Sequence, residues 1–247
     1  MAVVVGCLLL EEVLVRTGVL AAEDFPPASE VLRVVVQQLV GGELWSPIGR
    51  TLGSAVLGLG IAAACAVPLG ILLGSNKVLY HGTRFLVEFL RPIPPVTIIP
   101  LAILLFGTSL EMKLLIIVFG CVWPLLIQTY YGVRDVDPVL ADAARAYRFG
   151  PLQRFWQLVL PTALPYVMTG LRLAANFAVG LSIVSELIGG APGLGQTIYQ
   201  AQLAGQRPLM YAVVVLAAAL GMVIEGTFRQ VERRLLHWHE TQRPAVV

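Results

Sequence analysis

Residues 132–161 read GVRDVDPVLADAARAYRFGPLQRFWQLVLP. Asp137 followed by Pro138 predicts a helix start, because the carboxylate can cap free backbone amides and proline's fixed φ suits the first turn. The alanine-rich run Val139–Ala146 then predicts a short helix, which Gly150-Pro151 stops. A second amphipathic segment, Leu152–Leu160, leads on into a long apolar stretch. The expected product is a short, small-faced helix held between two apolar segments, a shape suited to insertion into a groove on a partner.

The flanks explain what holds it. Of 247 residues, 57% are hydrophobic and 13% charged, whereas a soluble domain runs nearer half apolar and about a quarter charged. A core of this size cannot hide so much apolar side chain, so the bilayer must do part of the burying. Windows of about 20 residues with few charges predict spans at Val3–Leu20, Thr51–Gly74, Pro92–Gly107 with the apolar stretch before it, Leu114–Tyr131, Thr162–Ile188 and Pro208–Phe228. The expected fold class is therefore an all-α membrane protein of about six transmembrane helices, with the short helix between the fourth and fifth. The first span has a rival reading as a signal peptide. Against that, no Lys or Arg precedes its apolar run, and Glu12 and Arg16 stand at i,i+4, where a partly buried pair can form.

With the N-terminus inside, the cytoplasmic segments hold Lys77, Arg84, Arg134, Arg145, Arg148, Arg154, Arg229, Arg233, Arg234 and Arg243, and the outer ones hold Arg33, Arg50, Lys113 and Arg207. Lys and Arg accumulate on the cytoplasmic side, so both termini and the loop 132–161 are expected there. Residues 21–45 form an outer amphipathic segment. After the turn Glu23-Asp24-Phe25-Pro26-Pro27, Ser29 is the expected N-cap of a helix Glu30–Val40, with Val31, Val34, Val35 and Leu39 on one side. No linker or repeat divides the chain, which reads as one transmembrane domain over 1–247. A net charge of +2, from 17 Lys+Arg and 15 Asp+Glu, is too weak to imply a nucleic-acid partner. Cys7, Cys65 and Cys121 lie in apolar runs without CxxC or CxxH spacing, so they read as small apolar fillers with neither a disulfide nor a metal role.

Ser54, Gly58, Ala62, Ala66 and Gly70 recur every fourth residue in the second span, and Gly170, Ala174, Ala178, Ser182 and Glu186 do so in the fifth. Such rows let helices approach closely in lipid, either as plain tight packing or as a moving seam beside a pathway. Ionisable groups at depth are costly and usually turn inward, pair or stay wet. The candidates are Glu88 with Arg91, Arg172 with Asn176, Ser182 and Glu186, and Glu225. Glu88 and Arg91 precede Pro92, Pro94, Pro95 and Pro100, which must break the helix. Breaks at membrane depth are tolerated where they meet protein or a water-filled cavity.

Asp142-Ala143-Ala144, followed after sixteen residues by Pro161 within Leu158-Val159-Leu160-Pro161, resembles the "EAA" loop of ABC importer permeases of the binding-protein-dependent inner-membrane family. Asp142 stands where the family usually has Glu. Arg148 stands where it has Gly, with Gly150 two positions later, so the turn after the helix is either shifted or takes left-handed geometry at Arg148. The resemblance covers nearly the whole chain and is strongest to the nitrate/sulfonate/taurine group. It is carried by Glu12-Val13-Leu14-Val15-Arg16, Arg91-Pro92-Ile93-Pro94-Pro95, Gly132-Val133-Arg134 with Asp137-Pro138, Leu164-Pro165-Tyr166 with Thr169-Gly170-Leu171-Arg172, Glu186 before Ile188-Gly189, Gly193-Leu194-Gly195, and Glu232-Arg233-Arg234.

The resemblance implies a type I importer permease fold, a homodimer in the bacterial inner membrane, two cytosolic ABC ATPase subunits and an extracytoplasmic solute-binding protein. It implies ATPase coupling through Asp137, Asp142, Ala143, Ala144, Arg145, Arg148 and Gly150, and a small solute, with an anion such as a sulfonate, taurine, nitrate or an aromatic acid preferred. No G-x-x-x-x-G-K-[ST] occurs in the chain, so ATP and Mg are expected on the partner and no cofactor or enzymatic activity on this chain. The competing readings are a stand-alone secondary transporter or channel using Glu88, Arg91, Arg172 and Glu186, and a purely structural membrane subunit. Transporters of the former kind often carry inverted repeats, which this sequence does not show.

Overall fold

A computed structural model describes residues 2–19, 21 and 24–235. Leu20, Glu23 and Arg243 lie outside the described residues. Among the described residues the regular structure is helical, with no strand. In chain order the helices are α1 (Ala2–Arg16), α2 (Ala28–Gly41), α3 (Trp45–Ser75), α4 (Lys77–Leu90), α5 (Ile99–Phe106), α6 (Leu110–Arg134), α7 (Pro138–Ala146), α8 (Pro151–Arg154), α9 (Leu160–Gly189), α10 (Leu194–Leu203) and α11 (Arg207–Leu235). A 3₁₀ turn over Pro95–Ile98 leads into α5, and a π turn over Phe155–Val159 joins α8 to α9.

Four helical stretches are long and apolar enough to cross a membrane: α3, α6, the continuous Pro151–Gly189 helix and α11. The α4–α5 pair, bent by 79°, supplies a fifth if it is one broken span. The expected count of about six thus becomes four or five among the described residues. The difference lies at α1, whose 15 residues extend only ~22 Å at the α-helical rise, against a hydrocarbon core of about 30 Å. It ends where Gly18 adopts a φ of +77°. The break between α4 and α5 falls where the prolines predict it. Asn76 caps the start of α4, its side chain accepting from the amides of Val78 and Leu79.

The centre of the fold is a three-helix core in which α3 runs parallel to α6 and α9 antiparallel to it. Both rows of small residues face this core, and all ten of their members are buried. The row on α3 lies against α6: a Cβ at Gly58 would fall 2.5 Å from Ile117 Cγ2, and one at Gly70 would fall 2.6 Å from Thr129 Cβ and 2.9 Å from the Leu126 carbonyl oxygen. On α9, Gly170 meets Gln128 and the α6 backbone in the same way. Cys121 is buried among these contacts, its thiol donating to the Ala174 carbonyl at 3.2 Å. Cys65 instead is exposed on α3.

The outer segment departs from expectation at its cap. Its helix begins at Ala28 with Pro27 as N-cap, and no side chain of its own caps it. Ser29 is already inside the helix, where its backbone amide and hydroxyl both donate to the Glu12 carboxylate, at 3.0 and 2.8 Å. Glu12 also holds Arg16 at 2.7 Å. One α1 carboxylate therefore does for α2 what a local cap would do. Val31, Val34, Val35 and Leu39 do form the covered side of α2, which packs against α11.

Close packing by glycine gives a direct test. Gly70→Ala is expected to cost about 1–3 kcal/mol, because the carbonyl it meets is backbone and cannot turn away. Gly60→Ala, whose Cβ meets nothing within 4 Å, should leave stability unchanged or raise it slightly. Thermal unfolding of both variants in one detergent, monitored by size exclusion, checks this. Equal midpoints would overturn the assignment of Gly70 to the α3–α6 contact.

Candidate functional site

The loop between the long spans folds as its residues predict. The Asp137 carboxylate accepts from the Val139 amide at 2.8 Å, and Pro138 occupies the first turn of α7. Ala144 is buried while Ala143 faces out. Asp142 forms an exposed ion pair with Arg145 at i,i+3. Arg148 resolves the question its substitution raises: its φ is +56°. Its amide donates to the Arg145 carbonyl and the next amide, Phe149, to that of Ala144, each at 2.9 Å. These are the two bonds of a Schellman motif, built with arginine where glycine is the usual choice. Gly150 is not the left-handed residue; it is extended, the N-cap of α8.

The mounting of α7 is as specific as its caps. Before it, Asp135 accepts a hydrogen bond of 2.5 Å from the Tyr166 hydroxyl of α9, and Gly132 lets α6 approach Tyr166 and Ala163 closely. Val139 and Leu140 on α7 and Tyr147 at its C-cap are exposed. The helix thus presents an apolar and ion-paired surface from a fixed base.

Glu88 and Arg91 line a cavity of ≈ 430 Å³ between α4 and α6, but they are not a pair. Glu88 instead holds Arg84 at 2.7 Å. The Arg91 side chain has no hydrogen-bond or ion-pair partner among the described residues, and it also lines a second cavity of ≈ 510 Å³ beside α9.

Glu186 is fully buried, and Lys113 is 3% exposed. The Lys113 ammonium lies 2.5 Å from Glu186 Oε1 and also donates to the Pro192 and Arg50 carbonyls at 3.3 and 3.4 Å. The same carboxylate accepts from the Thr51 hydroxyl at 2.8 Å, from Ser182 at 3.1 Å and from the Gly195 amide at 3.0 Å. Thr51 in turn accepts from the Leu194 amide at 3.0 Å. Two of the free amides at the start of α10 are thereby satisfied from α3 and α9, and a negative charge sits at its N-terminus. A Cβ at Gly193 would land 2.1 Å from the Glu186 carboxyl carbon, and one at Gly195 would land 2.1 Å from the Ile183 carbonyl oxygen. Only glycine allows this approach.

The remaining predicted polar positions join α9 to α11. Arg172 pairs with Glu232 at 3.1 Å, and the Asn176 amide donates to Glu225 at 2.9 Å, which also holds Arg229. Sequence reasoning missed Lys113, Thr51 and the whole of α10. Lys113 counts as an outer charge by position, although Glu186, at the end of an otherwise uncharged row, requires a cation near the same end of the bundle. Thr51, three residues before Ser54, heads the small row on α3.

Residues 66–237 match the family model described as the binding-protein-dependent transport system inner membrane component. The chain belongs to that permease family. A protein of Bacillus subtilis (strain 168) assigned to aliphatic sulfonates transport, the permease protein SsuC, is 31% identical over 225 residues, or 91% of this chain and 81% of that one. The taurine transport system permease protein TauC of Escherichia coli (strain K12) is 28% identical over 222 residues, 87% of this chain and 80% of its own. A chain of the MetNI methionine ABC transporter, solved in an inward-facing conformation, aligns with a TM-score of 0.67 at 25% identity, covering 76% of this permease and 94% of that chain. The fold is that of a type I ABC importer permease, similar to the sulfonate and taurine permeases above, in a multi-pass protein of the inner membrane. Its family is one of transport, not catalysis.

Two substitutions probe the geometry of the permease. Lys113→Met is expected to cost about 3–5 kcal/mol, since it strands a buried carboxylate. Adding Glu186→Gln should recover part of that loss, because the amide oxygen still accepts from Gly195 and no net charge is left buried. Thermal midpoints of the singles and the double form the test, and additive losses would overturn the pairing. Arg148→Gly should stabilise the chain by about 1 kcal/mol through relief of the left-handed residue. Slower proteolysis within 132–161 is the readout.

Proposed function

We propose that this permease is the membrane subunit of an ATP-driven importer and that α7 is its contact with the motor. The observation that carries this reading is the mounting of α7. It is a capped, nine-residue helix with Val139, Leu140 and Tyr147 exposed, fixed to α6 and α9 by the Tyr166–Asp135 bond and the Gly132 contact. A helix held in this way can enter a cleft on a cytosolic ATPase. Closure of an ATPase dimer on ATP then moves the spans through it. Asp142 and Arg145 supply the polar edge of the contact, Ala143 permits close approach, and Asp137, Ala144, Arg148 and Gly150 keep the helix in shape.

The assembly is two copies of the permease, two ATPases that carry the ATP and Mg, and an external binding protein that delivers the solute. Residues 132–161 and the end of α11 face the cytosol, in keeping with the distribution of Lys and Arg. The cargo is a small anion. The support is the sulfonate and taurine transport of the relatives, together with the unpaired Arg91.

The deciding experiment is co-expression of the tagged permease with its candidate ATPase, followed by purification and assays of ATP hydrolysis and uptake. Wild-type chain should carry the ATPase with it. Asp142→Lys combined with Ala143→Glu should insert normally yet retain at least about tenfold less ATPase, because like charges and bulk at a docked surface cost several kcal/mol. Undiminished association and uptake would overturn the role of α7, and solute flux through the permease alone would overturn the ATP-driven reading.

A further inference from the structure

The cavity of ≈ 510 Å³ between the α4–α5 break, α6 and α9 has a lining unlike the rest of the molecule. Its polar side chains are Arg91, Trp123 and Gln128, and no acidic residue lines it. The Arg91 guanidinium and the Gln128 amide have no partner among the described residues, and the Trp123 indole N–H is buried without an acceptor. A buried donor without an acceptor calls for an explanation. Here that donor is Trp123 Nε1; Gln128 is half-buried beside it, and the exposed Arg91 guanidinium has no anion, since the one carboxylate near it in sequence, Glu88, is committed to Arg84 at 2.7 Å. The other walls are apolar, Ile93, Leu173, Phe177 and Leu181 among them.

Depth places this cavity on a route rather than on a rim. Gly120, which lines it, is ten residues into α6, ~15 Å along a helix of ~37 Å. The backbone beside it is broken at Pro92–Pro95, and broken backbone at such depth persists only against protein or a water-filled cavity. An unpaired arginine there faces the same restriction. Arg91 lines the neighbouring cavity of ≈ 430 Å³ as well, so a solute held by its guanidinium borders both spaces.

We infer that Arg91, Trp123 and Gln128 form an anion-binding subsite in the membrane, selective for a compact oxyanion head carried on a small apolar body. The inference rests on the permease reading and specifies where its cargo is held. The guanidinium supplies charge and paired donors to the head, the indole and amide add neutral donors, and the apolar wall takes the body. The volume lies within the range of small-molecule sites.

Calorimetric titration of the full-length chain in lipid nanodiscs with butane-1-sulfonate, and with the neutral butyl methyl sulfone of similar shape, tests this. The sulfonate should bind saturably and at least about tenfold more tightly than the sulfone. Arg91→Gln should weaken sulfonate binding at least about tenfold, Arg91→Lys should recover part of it, and Arg33→Gln on the exposed face of α2 should bind as the wild type does. If Arg91→Gln does not fold, Trp123→Phe, which leaves a smaller aromatic ring and removes the N–H, should weaken binding several-fold. Equal affinity for the two compounds, no sulfonate binding by the wild type, or wild-type affinity in Arg91→Gln or Trp123→Phe would overturn the subsite. A chain that recruits its ATPase but does not prefer the sulfonate loses the subsite and keeps the importer reading. One that binds the sulfonate through Arg91 but recruits no ATPase keeps the subsite and loses ATP-driven transport.

Discussion

The buried carboxylate of Glu186 is the constraint on which the arrangement of the helices depends. An ion of this kind costs several kcal/mol to remove from water, and the cost is offset only when geometry and hydrogen bonding are complete. Completion here draws on four separate stretches: Thr51 from α3, Lys113 from α6, Ser182 one turn earlier on α9, and the Gly195 amide at the start of α10. A shift of any one of them takes a partner from the charge. The pair therefore specifies register more than it adds net stability. Replacing both partners with apolar residues of the same shape need not cost much, whereas removing one must. Gly193 and Gly195 belong to the same device, since any side chain there would occupy the position of the carboxylate or the backbone behind it.

Below this node the core is held by contact rather than by charge. Gly58 and Gly70 on α3 and Gly120 and Gly132 on α6 each place backbone against a neighbouring helix at distances a methyl group could not share without displacing its neighbour, and Gly170 on α9 is tightly placed as well. In lipid there is no hydrophobic drive to bring helices together, so such close approach and its dispersion contacts carry the association. A one-turn slide of about 5.4 Å between α6 and α9 would break the Glu186 pair at one end, the glycine contacts in the middle and the Tyr166–Asp135 bond at the other. The two helices thus form one rigid body. The elements least tied to this pair are the weakly packed ones. Of these, α11 has only Ala212 and Val213 buried, and α4 has no buried residue.

What was legible in the sequence is what is local. The cap at Asp137, the break at the prolines and the every-fourth-residue rows each depend on residues within one or two turns, and each stands in the structure, whereas the helix expected to stop at Gly150-Pro151 already ends at Ala146, closed by Arg148. The alternative raised by Arg148 was legible too, because a missing glycine leaves only a shifted turn or a left-handed arginine. The pairings were not legible. Lys113 and Glu186 are 73 residues apart, and Arg172 and Glu232 are 60 apart, so no spacing rule connects them. Ser29 looked like a cap because its type and place were right, yet the carboxylate that completes that helix end comes from another helix. Helix α10 was invisible because its N-terminal amides are met by distant side chains rather than by a local serine or aspartate. The motif Gly193-Leu194-Gly195 could be recognised without showing why it is glycine-rich.

Polar groups at membrane depth look alike in a sequence, and the structure separates them by what they hold. Glu186 is spent on Lys113, Arg172 on Glu232, Asn176 on Glu225 and Glu88 on Arg84. Each is a fastening between or along helices, and a solute that displaced its partner would loosen the fold that carries it. Arg91 has no such engagement, although it stands at the break in the α4–α5 segment where a helix could most easily have bent to supply an anion from within the chain. Folding economy alone would favour a neutral side chain at that position. A charge kept uncommitted beside two cavities is what a site for an external anion requires, because pre-existing internal pairing would have to be broken before the solute could bind.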